Sequence, residues 1–280
     1  MKKVLALIGS YRKLGNCEMM AKEIFRHIPE DACLSLIRLT KLNIQPCKAC
    51  YACLYPDVYC KIKDDLQFVL ESIRKADGVI VAIPVYCFGP AAIFKMVVDR
   101  SFEFMKVMNE IRGKPCVVVV AAGVRGMEGY TEAAVNSGAR TLGLKVKDTA
   151  TVIGAAPGEI FKDAETLKQA QRLGMALLDE DYKKQTNSDE CPFCFSNTFR
   201  IAPERKLQCA CCGNLMQPSL VNNNIHLTPA EGNRSILTSR EYAVEHFHWL
   251  VQKKGEYERE KDELNKIRKQ YKEIGEWLTP

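Results

Sequence analysis

Eight of the thirteen cysteines fall into two groups, and their spacing decides which metals each could hold. Cys47, Cys50 and Cys53 step by three, and Cys60 follows after a short loop. Three thiolates at that interval can wrap one face of an iron-sulfur cubane, and a fourth nearby completes its ligand set. Structural zinc instead prefers two separated Cys-x2-Cys pairs, because each pair forms its own knuckle. The residues alone leave open a second reading of this loop, a reduced thiol run without metal. The other group, Cys191 and Cys194 followed after fourteen residues by Cys209 and Cys212, has the zinc-friendly order, with Gly213 behind the second pair. That is the arrangement of a zinc ribbon or a rubredoxin-like site. A structural zinc is expected there, with redox-active iron as the alternative, and Cys211 is the spare.

A third constellation is built for an anion. The apolar run Val4–Ile8 ends in Gly9-Ser10-Tyr11-Arg12-Lys13-Leu14-Gly15-Asn16-Cys17, and a helical pattern starts at once. Backbone N–H groups at a helix N-terminus favour an anion. The loop lacks the Lys-Ser/Thr of a Walker sequence and the paired glycines of a dinucleotide fingerprint. A monophosphate held by Ser10, Asn16, backbone amides and the charge of Arg12 fits it better. Two further apolar runs end in Pro84-Val85-Tyr86-Cys87-Phe88-Gly89-Pro90 and in Ala121-Ala122-Gly123. Aromatic rings and glycine-exposed backbone at the carboxyl ends of parallel strands suit a flat isoalloxazine ring, which makes FMN, with its single phosphate, the expected flavin.

The elements that must position these groups follow from the pattern. Short apolar runs at Val4–Gly9, Cys33–Leu39, Gly78–Pro84, Pro115–Ala122 and Val146–Ile153 alternate with helical stretches at Asn16–His27, Leu66–Lys75, Ala91–Phe104, Tyr130–Leu142 and Ala164–Tyr182. The apolar runs are continuous rather than alternating, as strands are when helices cover both faces of a parallel sheet. The expected fold is α/β, a doubly wound five-stranded parallel sheet of flavodoxin type over residues 1–184. A four-cysteine metal ribbon over 185–220 and a helical extension over 221–280 follow it. In the extension, Leu264, Ile267, Tyr271, Ile274 and Leu278 step along one helical face, expected to pack on the chain's own surface or on a second subunit. His246 and His248 lie two apart and so point to different helix faces, unlike a ligand pair.

On these motifs the sequence resembles the flavodoxin-like NAD(P)H-dependent FMN reductases. Their Gly-Ser-x-Arg, Gly-Asn-Ser/Thr and Pro-x-Tyr segments, and their Lys followed by Asp-Arg, are met by Gly9 to Arg12, Gly15 to Cys17, Pro84 to Tyr86, and Lys95 with Asp99-Arg100. Cys17 departs from the pattern, since the family usually has a hydroxyl there. The likeness covers the first two thirds of the chain, and it implies cofactor contacts from Ser10, Arg12, Gly15, Asn16, Cys17, Pro84, Val85, Tyr86, Phe88, Gly89, Ala122 and Gly123. With Cys47, Cys50, Cys53 and Cys60 followed by Asp64-Asp65, the chain looks more narrowly like the iron-sulfur flavoproteins, which implies a [4Fe-4S] cluster on those four thiolates.

Composition bounds the rest. With 47% hydrophobic and 26% charged residues the chain can build a core, and its net charge of +6 is dispersed rather than blocked, which argues against a nucleic-acid protein. The run after Met1-Lys2-Lys3 is too short for a signal peptide, and no apolar stretch approaches a membrane span. Many cysteines without a secretion signal point to metals in a reducing cytoplasm rather than to disulfides. The expected function is electron transfer through FMN and a cluster, between a donor such as ferredoxin or NAD(P)H and a small-molecule acceptor, in a homodimer or homotetramer. A cluster-free NAD(P)H-dependent FMN or quinone reductase and a redox-sensing, partner-binding protein are the alternatives.

Overall fold

The computed structural model describes residues 1–55, 58–233 and 235–272. Five parallel strands form the central sheet: β1 (Lys2–Ile8), β2 (Ala32–Arg38), β3 (Gly78–Tyr86), β5 (Pro115–Ala122) and β6 (Lys145–Ile153). A two-residue strand β4 (Gly89–Pro90) runs antiparallel to the end of β3. The order β2-β1-β3-β5-β6 puts the first strand inside the sheet, and the chain reverses its direction of build at the junction of β1 and β3. Alternate residues of each strand feed two separate cores. Leu5, Leu7, Val79, Val81, Val118 and Val120 meet α2 (Leu66–Lys75), α3 (Ala92–Val98) and α5 (Thr131–Thr141). Val4, Ala6, Ile80, Ala82, Val117 and Val119 meet α1 (Asn16–Arg26) and α6 (Ala164–Leu178). Both faces are therefore dry at the centre of the sheet, which is why β1 from Val4, β3 and β5 are continuously apolar.

Two elements differ from the sequence pattern. The helix expected over Ala91–Phe104 stops at Val98, and a 3-10 turn, Ser101–Val107, and the short α4 (Met108–Ile111) replace its second half. The break turns Arg100 inward, where its guanidinium pairs with Asp64 in a nearly solvent-free setting. The β3–β4 hairpin turns on Cys87 and Phe88, at φ 49° and 64°. Both are non-glycine residues in the left-handed region that primed hairpin turns require.

The second sheet is antiparallel in the order β10-β9-β8-β7, from β7 (Phe199–Ile201), β8 (Leu207–Cys209), β9 (Leu215–Val221) and β10 (Asn224–Pro229). It runs to Pro229, because Asn222 and Asn223 adopt the left-handed conformation and fold the chain back. Helix α7 (Arg240–Lys269) begins only after Ser239, whose hydroxyl accepts from the Tyr242 N–H. None of its residues is buried; of the expected apolar stripe, Ile267 and Tyr271 are exposed, and Ile274 and Leu278 lie outside the described residues. Among the described residues no helix is long and apolar enough to cross a membrane.

The layer of α1 and α6 has a tight seam at Gly174, where a Cβ would lie 2.4 Å from the Ile24 carbonyl oxygen. Gly174→Ala is expected to push the helices apart and cost about 1–3 kcal/mol, the usual range for overpacking. Urea unfolding of the two proteins measures it, and an unchanged midpoint would mean the seam yields freely.

Candidate cofactor sites

At the carboxyl edge of the parallel sheet one pocket is lined by Ser10, Arg12, Asn16 and Cys17 after β1, Pro84 to Tyr86 at the end of β3, Ala121 and Gly123 from β5, and Gly154 and Ala155 after β6. No acidic side chain lines it, so its donor set of hydroxyl, amide, guanidinium and helix-end N–H groups fits a phosphate-bearing ligand. Four of the residues named from sequence stand back from this lining. Gly15 is the N-cap of α1, and Ala122 is buried beneath the strand end. Phe88 is exposed at the hairpin tip. Gly89 is pressed against Tyr130, whose hydroxyl would lie 2.8 Å from a Cβ placed there. Tyr11, Tyr86, Phe88 and Tyr130 are all more than half exposed, which leaves aromatic surface in the loops of this edge.

Side chains in and behind the pocket hold its loop in shape. Asn16, read from sequence as a phosphate contact, spends its amide otherwise: Nδ2 donates to the Gly154 carbonyl at 2.7 Å and Oδ1 accepts from the Gly158 N–H at 2.8 Å. It stitches the first loop to the last. Arg12 donates to the Ala155 carbonyl at 2.6 Å, and Glu159 accepts the N–H groups of Ala155 and Ala156. Arg38, at the end of β2, donates to the carbonyls of Ser10 and Arg12 and pairs with Glu18. Glu18 also accepts from the Leu14 N–H and from Lys22. Burial works against its charge, but the bonds from Lys22, Leu14 and Arg38 prevail and hold the carboxyl at about 2. Burial pushes the Cys17 thiol up to about 12, so it stays neutral at pH 7.

The cysteine loop occupies a different place. Cys47, Cys50, Cys53 and Cys60 line one small pocket with Asp99, Arg100, Phe102 and Glu103, beside the break between α3 and α4. It shares no lining residue with the carboxyl-edge pocket. Left-handed conformations at Ala49 and Tyr51 fold the backbone between the cysteines, and the Ala49 N–H donates to Cys47 Sγ at 3.4 Å. Cys60 is fixed twice: its N–H donates to Glu103 Oε1 at 2.8 Å, and Arg100 Nη2 donates to its Sγ at 3.5 Å. Burial raises the Cys53 thiol, and so do Glu103 and the neighbouring Cys60 and Cys47. The buried Nε of Arg100 has no partner among the described residues. Four cysteines around one pocket and one orphaned cationic donor fit an anionic thiolate-bound group.

A family model described as NADPH-dependent FMN reductase matches residues 2–157, more than half of the chain. The chain belongs to that family. Such a reductase is an FMN-dependent oxidoreductase, and its relatives narrow the branch. The iron-sulfur flavoprotein MJ1083 of Methanocaldococcus jannaschii is 30% identical over 188 residues, which span 63% of this chain and 96% of that protein. An iron-sulfur flavoprotein of Methanosarcina thermophila is 32% identical over 126 residues, 44% of this chain and 64% of its own length. The chain is thus a member of the iron-sulfur flavoproteins. Among solved structures, a flavone reductase superposes with a TM-score of 0.77 over 99% of both chains at 19% identity, which shows that the two folds agree from end to end, ribbon and α7 included.

In this reductase the second cysteine set closes to the dimensions of one ion. The sulfurs of Cys191, Cys194, Cys209 and Cys212 all lie within 4.8 Å of one another, with Cys191 to Cys212 at 3.6 Å and Cys194 to Cys209 at 3.4 Å. Four thiolates ~2.3 Å from a tetrahedral ion stand ~3.8 Å apart, so the set fits a single metal. Among the described residues no other cysteine set is as close, and Cys47 to Cys60 sit wider around their pocket. All four sulfurs of the second set are buried, and Asn214 Nδ2 donates to Cys212 Sγ at 3.4 Å. Cys211 is buried beside them but outside the four. Asn136 on α5 donates to the Cys194 carbonyl at 3.1 Å and seats the ribbon on the main domain.

Two outcomes test these arrangements. Glu18→Gln should cost about 1–3 kcal/mol at pH 7, because charge-assisted bonds inside the loop are lost. A carboxyl held at about 2, against an ordinary 4.5, stabilises fully above pH 4.5, and that gain fades as pH falls toward 2. Urea midpoints of the two proteins should therefore converge below pH 4.5; a constant gap would remove Glu18 from the clasp. Cys194→Ser should strip the ribbon of bound metal and open residues 191–229 to protease, with the visible flavin spectrum unchanged. Full metal retention by elemental analysis would disprove the four-sulfur site.

Proposed function

We propose that this chain binds FMN at the carboxyl edge and a [4Fe-4S] cluster at Cys47, Cys50, Cys53 and Cys60, and passes electrons between a one-electron protein donor such as ferredoxin and a small-molecule acceptor. When bound, the flavin supplies two-electron chemistry toward a hydride donor or organic acceptor, and the cluster supplies single electrons. The observation that carries this reading is the shared pocket of the four cysteines with the orphaned Arg100 Nε, in a chain that also has an acid-free pocket at its sheet edge.

The residues divide the work. Ser10, Arg12 and the first N–H groups of α1 bind the phosphate, with Arg38 adding charge behind the loop. Pro84, Val85, Tyr86 and Gly123 meet the ring, and Tyr11, Phe88 and Tyr130 supply apolar surface for an acceptor. Around the cysteine loop Lys48, Lys61 and Lys63 are exposed, Lys106 lies 3.9 Å over the Tyr59 ring and Lys254 lies 4.4 Å over the Tyr55 ring. A rim of lysines suits an acidic carrier, whose approach it would steer. The ribbon holds a structural zinc, since it supplies a buried tetrahedral set and no open position. A cluster-free NAD(P)H-dependent FMN or quinone reductase is the second reading, favoured by the description of the family that the chain matches.

Anaerobically purified protein decides between them by flavin, iron, sulfide and zinc counts. FMN, about four irons with four sulfides and about one zinc per chain are expected; FAD as the released flavin, or a chain free of sulfide, would defeat the corresponding part. Cys53→Ala should then abolish the cluster, keep the flavin, and slow flavin reduction by ferredoxin by orders of magnitude while dithionite still acts. Equal stopped-flow rates with ferredoxin would take the cysteine loop off the electron path.

A further inference from the structure

Arg100 occupies an unusual position for so costly a side chain. It is 4% exposed, and a guanidinium cannot shed its charge at any ordinary pH. Its Nη1 pairs with the Asp64 carboxylate, which is buried as deeply, and reaches the Gln45 carbonyl at 3.3 Å. Its Nη2 donates to Cys60 Sγ. Asp64 in turn accepts the N–H groups of Gln45 at 2.7 Å and Leu66 at 3.2 Å. The pair thus grips the cysteine loop just before Cys47 and just after Cys60. Of the two cations lining the cysteine pocket, Lys48 is exposed to water and Arg100 is not. The guanidinium therefore acts on Cys60 Sγ, its hydrogen-bond partner, with less screening than Lys48 has.

We propose that Arg100 is the positioning residue that sets the reduction potential of the group held by the cysteine loop, with Asp64 as its counterweight. The inference rests on the cluster reading above. Adding one electron to a four-thiolate cluster adds one negative charge and needs no proton. A guanidinium donating to a ligand sulfur stabilises that charge, and hydrogen bonds to sulfur are an established lever on such potentials. The Asp64 carboxylate opposes it, because its negative charge is held beside the same guanidinium. Removing the two groups should therefore move the couple in opposite directions. Loosening of the loop, the purely structural effect, would move it the same way in both variants, since both open the same grip.

The test is an EPR-monitored redox titration of anaerobically purified holoprotein, wild type against Arg100→Gln, Arg100→Lys and Asp64→Asn, with iron and sulfide counts on each and the flavin couple read as an internal control. At a fixed potential near the wild-type midpoint, Arg100→Gln should lower the ratio of reduced to oxidised cluster about tenfold, which is 59 mV for a one-electron couple. Arg100→Lys keeps the charge and should fall between. Asp64→Asn keeps an acceptor for one of the two loop N–H groups, Gln45 or Leu66, and should raise the ratio, and the flavin midpoint should hold still in all three. Unchanged cluster midpoints, or shifts of the same sign in Arg100→Gln and Asp64→Asn, would overturn the role of Arg100. If Arg100→Gln loses its iron, Asp64→Asn alone decides: a raised ratio supports the proposal and any other result rejects it. Wild-type protein without iron and sulfide would instead defeat the cluster reading beneath it.

Discussion

Burial of the parallel sheet on both faces governs where chemistry can happen in this chain. Helices on either side leave no polar surface along β1, β3 or β5, so every group able to bind a ligand is confined to the loops beyond the strand ends. Those loops carry backbone N–H and carbonyl groups that the sheet no longer pairs. Arg38, Asn16, Glu18 and Glu159 meet that demand from four directions. By occupying the carbonyls of Ser10, Arg12 and Gly154, Arg38 and Asn16 fix the shape of the loop. A glycine loop without a Walker lysine has no single strong cation to force its shape, and these bonds set it instead.

The two cysteine sets solve opposite problems. The ribbon has few aliphatic residues, and its core is made of Cys191, Cys194, Cys209, Cys211, Cys212 and Met216 with Ala133 of α5. An ion held there would be part of the fold, since the four sulfurs that would close around it are the core itself. The loop of Cys47 to Cys60 depends instead on an already folded domain. Gln45, Asp64, Arg100 and Glu103 anchor it from outside, so its sulfurs are held apart at a pocket rather than drawn together. A wide, externally supported set suits a large group, and a tight, self-supporting one suits a single ion.

What the chain reveals before folding follows the range of the interactions. The five strands and the helix Leu66–Lys75 are legible because burial on both faces and amphipathic spacing are local patterns. Both cysteine groups are legible because ligand spacing is local as well. The break after Val98 is not, since the pairing that accompanies it, Arg100 with Asp64, joins residues thirty-six apart. The clasp of Arg38 on Glu18 spans twenty residues and has no motif. Asn16 shows the limit most clearly: its place beside the phosphate loop could be read, but its partners Gly154 and Gly158 lie about half the chain away. The strand Asn224–Pro229 was hidden for another reason, since an Asn-Asn turn carries a weaker signal than one with glycine.

One short helix joins the two sites. The end of β3 lines the carboxyl-edge pocket through Pro84, Val85 and Tyr86, and the chain then passes through the strained hairpin at Cys87 and Phe88 directly into α3. Seven residues later, about 10 Å along the axis, it reaches Asp99 and Arg100 in the cysteine pocket. The hairpin is pinned from the other side, because Gly129, at φ 56°, leaves no room for a side chain against the Phe88 carbonyl, which also accepts the Tyr130 N–H. This short helix is buried at Phe94 and Val97, so packed backbone spans the interval between the two pockets. Arg100, and through it Cys60, is thus joined to the hairpin beside the carboxyl-edge pocket by a single packed helix.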